Sequence, residues 1–294
     1  MSFGKTLIKF LFFLFFSILQ ITAYAQFDTI GPINKRIINS VIEIKKGNEM
    51  GSGFLVLMGT KQLLVTNKHL IGNWSPVDSL ILSDSIIISL YSKKGSEPSF
   101  LRINVKICNS GIPIPYKLKI HPNNKIDIAV IDITNDIKQL SLNNTKFIDT
   151  SLLLKLNETT KFLTYGSQVF TIGYPAGIKN FKTNQPLVKS GYIASSLDGN
   201  LKMEQTWINR NKQAITTLTD GKIFIVDGLI IPGNSGGPVV ATQEVTWFEF
   251  NGVLQHLINP QNYFIGIVSN IYNSTGLSTI FASDNILEVI NQFK

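Results

Sequence analysis

Of the 294 residues only one, Cys108, is a cysteine, and only three, His69, His121 and His256, are histidines. A single thiol excludes any disulfide within the chain, so stability has to come from packing. The sequence has no H-E-x-x-H, no cysteine pair and no dense acid cluster at ligand spacing, so no metal is expected. It also lacks G-x-x-x-x-G-K-[ST] and G-x-G-x-x-G at a strand-to-helix junction, and no cofactor is expected. Charged residues make up only 16%, with a net charge of +8, or +6 without Lys5 and Lys9. Those charges are scattered, without a basic cluster or interleaved aromatics, which argues against nucleic acid as a partner. Beyond residue 25 no apolar run approaches the ~20 residues that cross a bilayer, so stable membrane insertion is not expected either.

What is present begins with "MSFGKTLIKFLFFLFFSILQITAYAQ": two lysines, an apolar run from Leu11 to Leu19, and small residues at Ala23 and Ala25. This pattern reads as a signal peptide over 1–25, and the expected address is export, periplasmic or secreted. Residues 26–294 show no repeat or composition shift and read as one domain. Short β-branched runs punctuated by Gly, Asn, Pro and Ser fill it, among them "SVIEI", "GSGFLVL", "QLLVTN", "IDIAVIDI", "QVFTIGY" and "YFIGIVSN". Such runs without a 3.6 period indicate an all-β class. One exception closes the chain: "SDNILEVINQF" spaces Ile286, Leu287, Ile290 and Phe293 as an amphipathic helix does, with Ser283 or Asp284 as its cap. The stretches 73–84, 135–160, 178–188 and 198–215 read as loops or insertions, as does the 242–260 region.

The chemistry is concentrated around "PGNSGGPVV", where glycines surround Ser235. A serine hydroxyl is a poor nucleophile near neutral pH and needs a base, which in turn needs an orienting partner. Of the three histidines, His69 ends the strand-like "QLLVTNKHL", where a side chain can project from a rigid sheet; His121 and His256 read as turn or loop residues. Asp127 interrupts the apolar run "KIDIAVIDI", and burying a carboxylate there is costly unless a donor such as an imidazole N–H meets it. Asp132, near the strand end, suits a solvated residue better. Gly233, with no Cβ, lets its N–H and that of Ser235 converge on one point, a donor pair for a developing oxyanion. "GYPAG" at 173–177 reads as a structural turn. Trp207, Trp247 and Phe248 lie in insertions, either packed there or bordering a groove.

"GSGFLV", "LLVTNKHLI", "DIAVIDI", "FTIGYPAG", "VKSGYIAS", "PGNSGGPVV" and "FIGIVSN" stand in the order and approximate spacing of a chymotrypsin-fold serine protease. Over residues 37–292 the sequence most resembles bacterial trypsin-like and HtrA-type peptidases, without room for a PDZ domain after Phe281. The resemblance implies two six-stranded antiparallel β-barrels, a site in the cleft between them, and an endopeptidase acting on polypeptides through an acyl-enzyme. Carried onto matching positions, it makes His69 the general base and acid, Asp127 its orienting partner and Ser235 the nucleophile, with the Gly233 and Ser235 amides as oxyanion hole. Ser269 then lies behind the aspartate, and the backbone of Ser269, Asn270 and Ile271 pairs with an extended substrate. Leu229, at the specificity-pocket wall six residues before Ser235, implies a preference for an apolar residue before the cut.

A further departure concerns activation. "KRIINS" at 35–40 is similar to a zymogen cleavage site, yet Asn234 stands where the family's activating aspartate would be, so activation by cleavage is not expected. Other readings are a catalytically silent peptide-binding protein on the same fold, which requires something covering the cleft, and an α/β esterase. The esterase is disfavoured because β runs lie on both sides of Ser235.

Overall fold

The computed structural model describes residues 29–294 apart from 31–32, 95–96, 141, 143–144, 181–182, 220, 229, 251–252 and 272–274; side chains at 29–30, 92–99, 244–260 and 270–271 also lie outside the description. The first half contains β1 (Val41–Lys46), β2 (Glu49–Met58), β3 (Lys61–Thr66), β4 (Ser85–Lys94), β5 (Glu97–Lys106), β6 (Leu118–Ile120) and β7 (Ala129–Asp132). They form a curled antiparallel sheet in the order β6-β7-β3-β2-β1-β4-β5, and Ile148–Asp149 adds in parallel to β2. The second half contains β8 (Gln168–Gly173), β9 (Leu187–Ile193), β10 (Ile223–Asp227), β11 (Pro238–Phe250), β12 (Val253–Ile271) and β13 (Leu277–Ala282). These close into a six-stranded barrel, β8-β9-β10-β13-β12-β11. The all-β, two-unit architecture stands as expected, with one difference: the first unit stays open because its end strands β5 and β6 do not pair.

The apolar runs are continuous because both faces of these strands are covered. In β1, Ile42 and Ile44 fill the inside of the first sheet while Val41 faces the other half; in β2, Leu55 points inward and Phe54 and Val56 outward. β3 and β7 divide Leu64, Ala129 and Ile131 from Val65 and Val130 in the same way. The outward set meets Phe264, Ile267 and Phe281 of the barrel in a core shared between the halves. Each buried Leu, Ile or Phe in such a core contributes roughly 1.5–3 kcal/mol. A third cluster, including Val169, Phe224, Val239 and Ile280, fills the barrel. The lone Cys108 is buried, its Sγ donating to Ser83 O at 3.2 Å, as a small core residue would.

The closing helix runs over Ser283–Ile290, followed by a 3₁₀ turn at Asn291–Phe293, and buries Ile286, Val289, Ile290 and Phe293 against the shared core. Its capping differs from expectation. Ala282 is the N-cap, without a side-chain bond; the Ser283 hydroxyl donates to Phe264 O, and Asp284 accepts from Leu156 N and pairs with Lys222.

Three stretches read as loops are β-ribbons. Gly72–Ser75 pairs with Asp78–Leu82, Met203–Ile208 with Ala214–Thr219, and the distal parts of β11 and β12 extend the barrel through 242–260. His256 is therefore a strand residue, paired with Trp247; their side chains, and that of Phe248, lie outside the description.

Candidate active site

His69 stands in a single 3₁₀ turn, Lys68–Leu70, that leaves β3 after Asn67. The turn is pinned from below by Lys46 Nζ, which donates to His69 O at 2.7 Å and Gly72 O at 3.0 Å. Across from it, Asp127 lies just before β7 and is only 1% exposed. Its Oδ2 is 2.6 Å from His69 Nδ1, and its Oδ1 accepts the His69 backbone N–H at 3.1 Å. Asn67 Nδ2 donates to Asp127 O at 2.6 Å, so both sides of the aspartate are fixed to the turn. Facing a carboxylate, Nδ1 carries the imidazole proton and leaves Nε2 as the basic nitrogen.

The barrel supplies a further donor to Asp127. Between Val268, paired with Ile280, and Asn270, paired with Thr279, the β12–β13 register contains one extra residue, Ser269. A bulge re-aims the side chain it carries. Here Ser269 Oγ donates to Asp127 Oδ2 at 3.1 Å, while Ser269 O accepts the Ser235 hydroxyl at 3.3 Å. His69, Asp127, Ser235 and Ser269 thus line one cavity of about 340 Å³ between the halves. The Ser235 hydroxyl points to the Ser269 carbonyl rather than making a hydrogen bond with the imidazole. Such contacts commonly tighten only when substrate arrives.

The glycines flanking Ser235 have steric causes. Gly233 has φ +100°, and a Cβ there would meet Tyr174 O at 2.3 Å; Gly236 has φ +81°, and its Cβ would meet Ser52 O at 2.0 Å. Either contact forbids a side chain, so the loop can approach both the first sheet and the 174–177 turn only with glycine. The amides between them divide in use. Asn234 N donates to Ile231 O, Gly236 N to Val268 O and Gly237 N to Asn234 O. Among the described residues, the N–H groups of Gly233 and Ser235 have no acceptor within the protein. These two amides are left available to an incoming oxygen.

Two bracing residues escaped the sequence reading. Ser52 N donates to Ser235 O at 2.8 Å, and Ser52 Oγ donates to Gly233 O at 2.7 Å while accepting Tyr174 N at 3.0 Å. Ala176, held at φ +50°, donates its N–H to Pro232 O at 2.7 Å. The peptides on either side of Gly233 are therefore each fastened by a hydrogen bond, and "GYPAG" is part of the brace. The small serine in "GSGFLV" was the available signal, but its partners lie 181 and 122 residues away in the chain.

Of the remaining candidates, Asp132 accepts Thr134 N as a local turn residue, and His121 is buried with Nε2 2.9 Å from Glu288. Asn270 and Ile271 continue β12 opposite Thr279 and Ser278, with side chains outside the description, and Leu229 lies outside the described residues. Lys68, beside His69, is almost wholly buried, and burial pushes its amine down to about 8, against the opposing pull of Asp127. Among the described residues no group of His, Cys, Asp and Glu gathers to hold a metal, and no helix is long and apolar enough to cross a membrane.

A serine hydroxyl, an imidazole held by a carboxylate and two spare amides in one cavity are the groups that acyl transfer at a serine requires. The Trypsin-like peptidase domain matches residues 51–246, and the chain belongs to that family of serine endopeptidases. Among solved structures it is similar to the HtrA-type protease AlgW solved with a tripeptide: 18% identity, TM-score 0.47, covering 87% of this chain and 60% of that one. It is also similar to a serine endoprotease of Yersinia pestis: 16%, TM-score 0.46, 88% and 64% covered. A third likeness is the active form of the Rv3671c protease of M. tuberculosis: 13%, TM-score 0.46, 87% and 82% covered. Membership rests on the matched domain, not on these slight likenesses. No curated protein matches the chain.

Proposed function

We propose that the protein is an exported serine endopeptidase in which Ser235 attacks the peptide carbonyl, His69 takes and returns the proton, and Asp127 holds the imidazole. The observation that carries this reading is the unbroken series from Ser269 Oγ through Asp127 to His69 Nδ1, at 3.1 and 2.6 Å, beside Ser235 in one cavity. In the first step the hydroxyl turns from Ser269 O toward Nε2 and gives up its proton as Oγ bonds to the carbonyl carbon. The carbonyl oxygen takes up the electron pair and is met by the amides of Gly233 and Ser235. Collapse expels the amine, which leaves with the proton held by His69. Water then repeats the sequence on the acyl-serine and releases the acid.

The residue before the cut is apolar on this reading. Asp127 is the one carboxylate among the described cavity walls, which include Met203 and Phe281, and it is already engaged, so a cationic side chain finds no partner there. Activation needs no chain cleavage: Lys35–Ile38 is a helical turn with Ile37 and Ile38 buried, and Asn234 has no charge to offer a new terminus. Export rests on the charged and apolar pattern of residues 1–25, and fractionation of cells carrying an epitope-tagged chain tests it.

A silent, peptide-binding protein is the second reading, favoured by the Ser235 hydroxyl lying away from the imidazole and by the 203–219 ribbon beside the cleft. A fluorophosphonate probe separates the two. Labelling of the wild type that is lost in Ser235→Ala supports the enzyme, and an unlabelled Ser235 supports the silent protein. A peptide library then reads the preference, and cleavage mainly after Lys or Arg would remove the apolar pocket from the proposal.

A further inference from the structure

The ribbon Met203–Ile208/Ala214–Thr219 grows out of the second half and ends on the first. At its tip, Arg210 Nη2 donates to Ser79 O at 2.6 Å and Asn73 O at 3.3 Å, and Arg210 N to Asp78 Oδ1 at 3.4 Å. On the returning strand, Leu218 O accepts from Lys125 Nζ at 2.8 Å. Along the outgoing strand, Trp207 stands edge-on to Trp74, with ring centroids 6.4 Å apart at 66°. Trp74 is in turn tied by its indole N–H to Asn124 O at 3.0 Å, three residues before Asp127. Both indoles line the cavity that contains His69 and Ser235.

The sequence sets which face looks in. Met203, Gln205 and Trp207 alternate with exposed Glu204, Thr206 and Ile208, and on the return Thr217 and Thr219 alternate with exposed Thr216 and Leu218. A two-stranded ribbon is marginal alone in water, so its position depends on what its inner face and tip touch. Two inner polar atoms, Trp207 Nε1 and Thr217 Oγ1, are buried without a partner, an arrangement stabilised when an acceptor and a donor arrive. An extended peptide backbone offers both.

We infer that this ribbon is a strap which selects substrates by bulk: latched through Arg210, it admits an extended chain past Trp74 and Trp207 and holds back thicker polypeptide. The inference rests on the proposed endopeptidase reading and adds its substrate class, unfolded polypeptide or short peptides. The tip bonds are exposed to water, and each shifts the open–closed balance by roughly two- to tenfold.

The test compares the wild type with Arg210→Ala and Arg210→Lys. Arg210→Ala should label with a small fluorophosphonate at the wild-type rate, cleave a compact folded protein roughly two- to tenfold faster relative to a short apolar peptide, and exchange the 203–219 amides faster. Arg210→Lys, which keeps a cationic donor, should restore the wild-type ratio. If folded protein and short peptide change together, or the ribbon amides exchange as in the wild type, the strap is overturned. If Ser235 labels in neither protein, the endopeptidase reading falls. Amide exchange then decides the latch by itself: faster exchange in Arg210→Ala sustains it, and unchanged exchange removes it.

Discussion

In the first half of the molecule the imidazole and carboxylate are fastened from several directions: Asp127 accepts from His69 Nδ1 and N, and Asn67 ties its carbonyl to the same turn. In the second half the Ser235 hydroxyl rests on one 3.3 Å contact, although the backbone beneath it is braced on both sides. An open sheet thus carries the locked pair, and a closed barrel carries the free rotor. The difference follows from what each part has to do. On the proposed mechanism Nδ1 keeps its proton and the ring its direction throughout, whereas the alcohol swings between acceptors while its surroundings stay still.

Removing the rotor alone gives the largest expected effect. Ser235→Ala should lower kcat by about 10⁶-fold and abolish probe labelling, with an unfolding midpoint close to that of the wild type. Next comes the locked pair. Asp127→Asn replaces an acceptor by an amide that offers either an N–H or a weaker oxygen to His69 Nδ1, and should lower kcat about 10⁴-fold at neutral pH. Equal losses in the two variants would break the contrast between the halves.

The brace comes third. Ser52→Ala strips Gly233 O of a donor and Tyr174 N of an acceptor, and should reduce kcat by roughly 10- to 100-fold at nearly constant KM, below the loss of a whole oxyanion donor. Denaturant unfolding should register about 1–3 kcal/mol from the buried groups left unpaired. A rise in KM with kcat intact would make Ser52 a substrate contact instead.

The smallest effect on catalysis comes last, and it is read in stability against pH. Folding lowers the Lys68 amine from its usual 10.5 to about 8, chiefly by burial, so the penalty for its charge is full below about 8 and gone above 10.5. This group therefore makes stability climb between those two values. Lys68→Met should flatten that climb, as read from unfolding at a series of pH values.

Much of this was legible in one dimension. A glycine-framed serine, a histidine at a strand end and an acid inside an apolar run each break a local rule, and a broken local rule marks a position under a separate demand. The continuous apolar strands also reported their own burial on two faces. Ser52 broke no rule: a small residue between glycines in a strand is ordinary until Gly233 and Tyr174 are brought beside it. The openness of the first sheet was hidden for a similar reason, since closure depends on whether β5 and β6 meet, not on either strand. The ribbon at 203–219 alternates Met, Gln and Trp with polar residues, and its mixed inner face looked like loop composition. His256 was read as a loop residue because Asn259, Pro260 and Asn262 punctuate a strand that is in fact continuous.

The extra residue in β12 has a consequence for how this molecule can change. Through one backbone unit, the hydroxyl of Ser269 reaches the acid of one half and its carbonyl reaches the alcohol of the other. Deleting a single codon at 269 would therefore uncouple both partners together while leaving every strand in place. At this position the number of residues, and not only their identity, sets whether the two halves stay joined at the site.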